Sequence, residues 1–340
     1  PNNPQSGSNP GGGGAGHGNN EDPSNTTITN PIPCYKVQVD CVEVEEIEEN
    51  MELILNQELD INPYLIIDID CDQIQYWQNL AQHIPPQSVI DKIENIDQNN
   101  TTLFGDFDIQ YIEDAEGAVV NMDYFPVVID VLPNNPQTGL QFTPDELLEY
   151  IRTNINDFVD TNQTSFEPYD YLDTGYDEYN TWFSSNPLGA ILHLDINVVG
   201  TPISNDGSII CSETNNNNWI FTTIEAAGDW DHPVSGNREI GYFYAPNDGP
   251  NGSYTYYARG VDRVTEALDI DMATWMQLDN PFQGGDGLWF SFQNGISNFV
   301  NDLNNGGLAT ALPYITNRPN WEDVKDVLLG NAPISDLGCD

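Results

Sequence analysis

Five runs decide the fold: Ala190-Ile-Leu-His-Leu-Asp-Ile-Asn-Val-Val199, Ser208-Ile-Ile-Cys-Ser212, Trp219-Ile-Phe-Thr-Thr-Ile224, Glu239-Ile-Gly-Tyr-Phe-Tyr244 and Tyr254-Thr-Tyr-Tyr-Ala-Arg259. Each has the length of a strand, and β-branched and aromatic side chains dominate them at a period of two. Asn205-Asp206-Gly207 and Asn247-Asp248-Gly249 supply turn chemistry between them. The pattern predicts a meander of antiparallel strands.

Helical spacing lies on both sides of this run. On the N-terminal side, Thr143-Pro144-Asp145-Glu146 predicts a capped helix, with Pro144 at its first position and Glu146 completing a capping box. Leu148, Ile151, Ile155 and Phe158 follow on one face. Ile74–Leu80 and Ser88–Ile96 also read as helices. Phe107–Ile112 and Ala118–Asn121 flank Asp114-Ala-Glu-Gly117 like a hairpin, and Tyr124–Leu132 is a further strand. Earlier still, Lys36–Val44 and Tyr64–Asp70 read as strands and Glu45–Asn56 as a helix. On the C-terminal side, Asp286 is placed to cap a helix carrying Leu288, Trp289, Phe292, Ile296, Phe299, Val300 and Leu303. Trp321–Leu329 is a last helix, stopped by Gly330. The expected class is α+β, a central antiparallel meander flanked by helices.

The chain has 340 residues, about two domains at roughly 150 residues each. Residues 1–32 are rich in Pro, Gly, Asn and Ser and read as a flexible tether. Residues 33–160 are expected to form an N-terminal α+β region, and 161–340 the meander with its C-terminal helices. The two regions are compatible with packing as one body. The polar, tyrosine-rich connection over 160–188 is the place for a seam between them.

Fifty-four Asp and Glu against 8 Lys and Arg give a net charge of −46. Phosphate backbones need a cationic stripe, so nucleic acid is excluded as a partner, and so is electrostatic attachment to an anionic membrane. No apolar run reaches the ~20 residues of a membrane span. Five cysteines fit one bridge or none: Cys34 and Cys41 are close enough in sequence to pair, while Cys71, Cys211 and Cys339 have no evident partner in the sequence.

Three of the eight cations, Arg238, Arg259 and Arg263, lie with Asp262 in one short segment. In so cation-poor a chain they read either as clamps on carboxylates or as holders of an anionic ligand group. Asp231, His232 and Ser235 are the residue types of a hydrolytic triad, but no G-x-S-x-G elbow surrounds Ser235, and a histidine bonded to backbone is the plainer reading. His193, Asp195 and Asn197 share one strand face. Calcium is the ion the acidic clusters suit: Asp170, Asp173, Asp177 and Glu178 in a loop, Asp68, Asp70 and Asp72 along a strand face, and the pair Asp269 and Asp271. None of these matches a complete calcium-loop signature. Tyr169, Tyr171, Tyr176, Tyr179, Trp182, Trp219 and Trp230 fall in or near polar loops, where they either plug loop bases or recognise a glycan or protein.

Asp70-Cys-Asp-Gln-Ile, Val120-Asn-Met-Asp-Tyr-Phe-Pro126, Trp219-Ile-Phe-Thr-Thr-Ile-Glu225, His232-Pro-Val-Ser-Gly-Asn-Arg-Glu239, Arg259-Gly-Val-Asp-Arg263, Arg318-Pro-Asn-Trp-Glu-Asp-Val-Lys-Asp-Val327 and Pro333-Ile-Ser-Asp-Leu-Gly-Cys339 carry a resemblance. The chain beyond the tether resembles the C-terminal region of an uncharacterised group of exported or lipid-anchored surface proteins of the Bacteroidota. The resemblance implies export, a Gly/Ser/Asn-rich spacer and a surface location, and it assigns no residue a role. The expected function is a non-catalytic cell-surface or secreted binding or accessory protein, a subunit of an outer-membrane assembly being one form. Its expected partner is a protein or glycan, and no cofactor is expected beyond the calcium ion. The alternative is a secreted hydrolase with its site at Asp231 and His232 beside Arg238, Arg259 and Arg263.

Overall fold

The computed structural model describes residues 69–101, 105–196, 206–229, 231–248, 252–266 and 282–339. The expectations for residues 1–32, 36–44 and 45–56, for Cys34, Cys41 and Asp68, and for Asn197, Trp230, Asp269 and Asp271 lie outside them.

The meander forms as the strand periods dictate. Strands β3 (Thr164–Pro168), β4 (Ile191–Ile196), β5 (Gly207–Thr214), β6 (Asn218–Glu225), β7 (Val234–Ala245) and β8 (Ser253–Val264) pair in sequence order, each antiparallel to the next. The sheet then closes on an earlier strand. β2 (Val120–Val131) lies against β8, with Asp123 opposite Gly260 and Tyr124 opposite Arg259. β9 (Leu308–Ala311) and β10 (Ile315–Asn317) share the far side of β2. With β1 (Asp108–Ile109) this makes a ten-stranded sheet in an α+β fold. The tyrosine-rich connection over 160–188 thus contributes β3 to the same sheet.

Helices cover both faces, which is why most strand positions are buried rather than alternating. α3 (Pro144–Thr153) and α5 (Gln283–Asn301) bury Leu147, Leu148, Ile151, Phe292 and Ile296 against Phe125, Val127, Phe221 and Ile240. On the opposite face α2 (Gln87–Asn99) buries Val89, Ile93 and Ile96 against Ile191, Ile210 and Ile224. There α1 (Cys71–Ala81) packs on β7 and β8 and on α6 (Trp321–Leu328), and the Trp77 indole donates to the Asp123 carbonyl at 3.0 Å. The capping box forms in both directions: Thr143 Oγ1 accepts from the Glu146 amide, and Glu146 accepts from the Thr143 amide at 2.9 Å. α6 stops before Gly330, whose φ of 76° suits glycine.

Four expectations are corrected. The residue 107–121 hairpin does not form. β1 pairs with β6, and Gly117 donates to the Val264 carbonyl, so the segment wraps the end of β8 instead of turning back on β2. Asp70 is the N-cap of α1, with Asp72 in the first helical turn, so the two do not line a strand face. Asp286 lies inside the first turn of α5, not at its cap, because the helix starts at Gln283; its carboxylate is held by Arg318 at 2.5 and 2.7 Å. Cys71 has a partner after all: it forms a disulfide with Cys339, across 268 residues of sequence.

Candidate functional site

The three arginines of the 238–263 segment do not converge. Arg238 and Arg259 lie on adjacent strands but point to opposite faces of the sheet. Arg238 forks onto Asp123, at 2.6 and 2.7 Å, and reaches Asp262 at 3.3 Å, under the Trp289 ring. A Cβ on Gly260 would overlap its guanidinium, so the glycine is what lets Arg238 lie across β8. Asn121 bridges the two carboxylates at 2.9 and 3.3 Å and accepts from Arg318, which itself forks onto Asp286. Burial raises the Asp262 carboxyl above the usual carboxylate range; Arg238 opposes this and the Asp123 charge adds to it.

On the other face Arg259 donates to Glu239 at 2.9 Å and to Gln73 at 3.1 Å, caged by the rings of Tyr76, Tyr124 and Tyr257. Burial pushes the Tyr124 phenol up to about 12. Arg263 donates to the carbonyls of Gly117 and Ile112, both at 2.8 Å, and stacks on Trp321. Arg259 and Arg263 are buried and Arg238 nearly so, and each guanidinium is engaged by groups of this chain, although the buried Arg259 Nε has no hydrogen-bond partner. These are clamps, and Asp262 belongs to the first of them.

The Asp231, His232 and Ser235 side chains form no relay. His232 Nδ1 lies 2.9 Å from the Val234 carbonyl and its ring rests on Gly207. Ser235 Oγ meets Thr265 Oγ1 at 2.9 Å, and the Asp231 carboxylate accepts from Gln110 at 3.5 Å. Burial pushes the His232 imidazole down to about 4. In the unfolded chain it titrates near 6.5, so between these values the unfolded state binds the extra proton. Its contribution is complete above pH ~6.5 and falls by about 3 kcal/mol as the pH drops to 4. Urea midpoints measured from pH 7 to 4.5 are expected to fall less steeply in His232→Gln than in the native chain. Equal slopes would mean that His232 is not held neutral.

A different histidine has the acid–base geometry. The Asp229 carboxylate accepts from Ser208 Oγ at 2.5 Å and meets His193 Nδ1 at 2.9 Å. His193 Nε2 in turn meets the Tyr171 hydroxyl at 2.9 Å. Burial opposes a charge on His193, but the Asp229 hydrogen bond and charge outweigh it and raise the imidazole pKa. Strand periodicity puts His193 on a polar face. Asp229, from the β6–β7 connection, and Tyr171 carry no local signal for the meeting. His193 Nε2 faces the Tyr171 hydroxyl, so the chain of hydrogen bonds runs on to a tyrosine that is itself exposed.

The acidic loop is built around a buried ion pair. Lys92 of α2 donates to both Glu178 oxygens, at 2.7 and 2.8 Å, and to the Gly189 carbonyl at 2.6 Å. Glu178 also accepts from the Ile191 amide and Thr174 Oγ1. Asp177 caps the short helix α4 (Glu178–Trp182), and Asp173 accepts from the Gly175 amide. Asp170 lies on the exposed surface. Among the described residues no three His, Cys, Asp or Glu side chains are grouped as metal ligands. Arg152 of α3 holds the end of α4 through the carbonyls of Trp182 and Ser184.

The aromatics of this region divide by role. Tyr169, Trp182 and Trp219 are buried, as loop plugs and core. Tyr171, Tyr176, Tyr179 and Phe183 are exposed, Tyr179 by 62% and Tyr176 by 44%. Tyr176 borders a groove of about 420 Å³ between α2 and the loop, lined also by Ser88, Asp91, Lys92, Thr181 and Leu188.

No family model and no curated protein matches the chain. Among solved structures, the crystal structure of DR_A0006 from Deinococcus radiodurans aligns with 51% of this chain and 93% of its own, at 9% identity and a TM-score of 0.25.

Proposed function

We propose that the protein is a non-catalytic binding module, secreted or displayed at a cell surface, that recognises its partner through the aromatic loop over 170–183. The observation that carries this reading is four exposed aromatic side chains on a loop whose base is fixed by the buried Lys92–Glu178 pair and by Arg152. Exposed aromatics on a rigid base give contact area at little cost in ordering entropy. The Cys71–Cys339 bridge supports an oxidising compartment, consistent with export. The resemblance to exported Bacteroidota surface proteins supports the same location, with an outer-membrane assembly as one setting. Among the described residues no helix is long and apolar enough to cross a membrane. The hydrolase alternative gains no support at Asp231 and His232, whose ring is bonded to backbone.

The test is retention on isolated Bacteroidota cell envelopes. The native chain is expected to be retained, and the Tyr176→Ala/Tyr179→Ala variant about tenfold less, with its circular dichroism and melting temperature unchanged. Failure of the native chain to bind, or equal retention of the variant, would remove the loop from the proposal.

A further inference from the structure

We infer that the groove between α2 and the 173–189 segment binds a neutral glycan, one sugar ring stacked on Tyr176 and its hydroxyls bonded to Asp91, Ser88 and Thr181. This deepens, and rests on, the reading of the aromatic loop as the recognition surface.

The ring of Tyr176 is held as a platform. Lys92 Nζ sits 4.6 Å from its centroid, and Asn95 Nδ2 lies 3.3 Å from its hydroxyl. Ordering the ring in advance removes that cost from binding, which suits a platform for stacking. Tyr176 keeps 44% of its surface in solvent, and with Lys92 over one face of the ring a sugar would take the other. The volume of about 420 Å³ falls within the ~300–1,000 Å³ of small-molecule sites.

The polar groups decide the charge of the ligand. Among the described residues Lys92 is the only cation lining the groove, and an ammonium has three donors. All three are taken, by Glu178 Oε1, Glu178 Oε2 and the Gly189 carbonyl. An anionic ligand finds no free positive group in that lining, and it meets Asp91 in a chain of net charge −46. A cationic ligand has Asp91 available but must sit beside the Lys92 ammonium. What the lining offers is acceptors and one hydroxyl: the Asp91 carboxylate, which Gln87 contacts through one oxygen, the Ser88 hydroxyl, and Thr181 Oγ1, whose proton goes to the Asp177 carbonyl at 2.7 Å and which is left as an acceptor. Val89 and Leu188 supply apolar wall between them. Hydroxyl donors on a ring with C–H faces match this set; a phosphate, a sulfate or an amine does not.

The experiment is an array of neutral gluco-, manno-, xylo- and galacto-oligosaccharides beside uronic-acid, sulfated and chitosan oligomers, followed by titration calorimetry on any that bind. At least one neutral oligosaccharide is expected to bind the full chain. Tyr176→Ala is expected to weaken it about tenfold or more, Tyr176→Phe by less than about threefold, and Asp91→Asn about fivefold. Tyr244→Ala, at an exposed tyrosine of β7 that does not line the groove, serves as the control and leaves binding unchanged. Binding confined to the acidic or amino oligomers, an empty neutral set, or indifference to Tyr176→Ala each overturns the inference. An empty neutral set with envelope retention that still depends on Tyr176 and Tyr179 leaves the binding module standing and makes its partner a protein.

Discussion

Arg238→Ala is expected to lower the unfolding free energy by about 3–5 kcal/mol, the cost of leaving buried charge without its counter-charge. Two carboxylates depend on this guanidinium. Asp123 is 1% exposed and takes both of its forked bonds, and Asp262 takes a third contact at 3.3 Å. Asn121 offers these carboxylates one amide donor group, and Arg318 is committed to Asp286 and the Asn121 carbonyl. With Arg238 gone, two carboxylates face each other across the β2–β8 pair without their shared counter-charge. The measurement is urea unfolding at pH 7, in a cycle with Asp123→Asn. If repulsion between carboxylates is the mechanism, Arg238→Ala costs less in the Asp123→Asn background. The loss should also shrink at lower pH. Asp262 already has its carboxyl raised by burial, and protonating it relieves the repulsion. A cost below about 1 kcal/mol, or one independent of Asp123, would mean that Arg238 fills space and neutralises nothing.

That pair also shows where the sequence is legible. Strands β4 to β8 are readable because each carries its own period of two and the turn residues between them are local. The α3 capping box is readable for the same reason: Thr143 and Glu146 meet within one turn. That Arg238 is a special position is readable from scarcity, as one of 8 cations among 54 acids, and the clamp is one of the two roles this suggests. Its main partner is not. Asp123 lies 115 residues earlier, on a strand that joins the meander only because the sheet order places β2 beside β8. A period of two says which side of a strand faces the core and nothing about which strand comes next to it. The same gap hides the pairing of β1 with β6 and the meeting of His193 with Asp229 and Tyr171. It also makes Asp231-His232 look more interesting than it is: adjacency in sequence puts the two together, while the fold turns the His232 ring toward Val234.

Removing the Cys71–Cys339 bridge is expected to cost roughly 3–5 kcal/mol, near the upper end for disulfides, because the closed loop is so long. The bond joins the first residue of α1 to Cys339, 268 residues on, so it holds nearly the whole described unit in one loop. The native state has little need of it. α1 is held by Trp77 on the Asp123 carbonyl and by Gln78 and Gln82 on the carbonyls of Val327 and Leu328, at 2.6 and 3.0 Å. The effect therefore falls mainly on the unfolded chain, which gains conformational freedom when the loop opens. This gives two readouts in one urea titration. The midpoint should fall, and the dependence on urea should steepen, because an unconstrained unfolded chain exposes more surface. The Cys71→Ser/Cys339→Ser variant isolates this bridge from the other cysteines. Cys211 is no substitute partner: it is buried on β5, and desolvation pushes its thiol up to about 12. A lower midpoint with unchanged urea dependence would place the loss in the folded state, in the docking of α1 against α6. No change in either would mean that the hydrogen bonds and the Trp77 contact fix the ends of the unit without the covalent link.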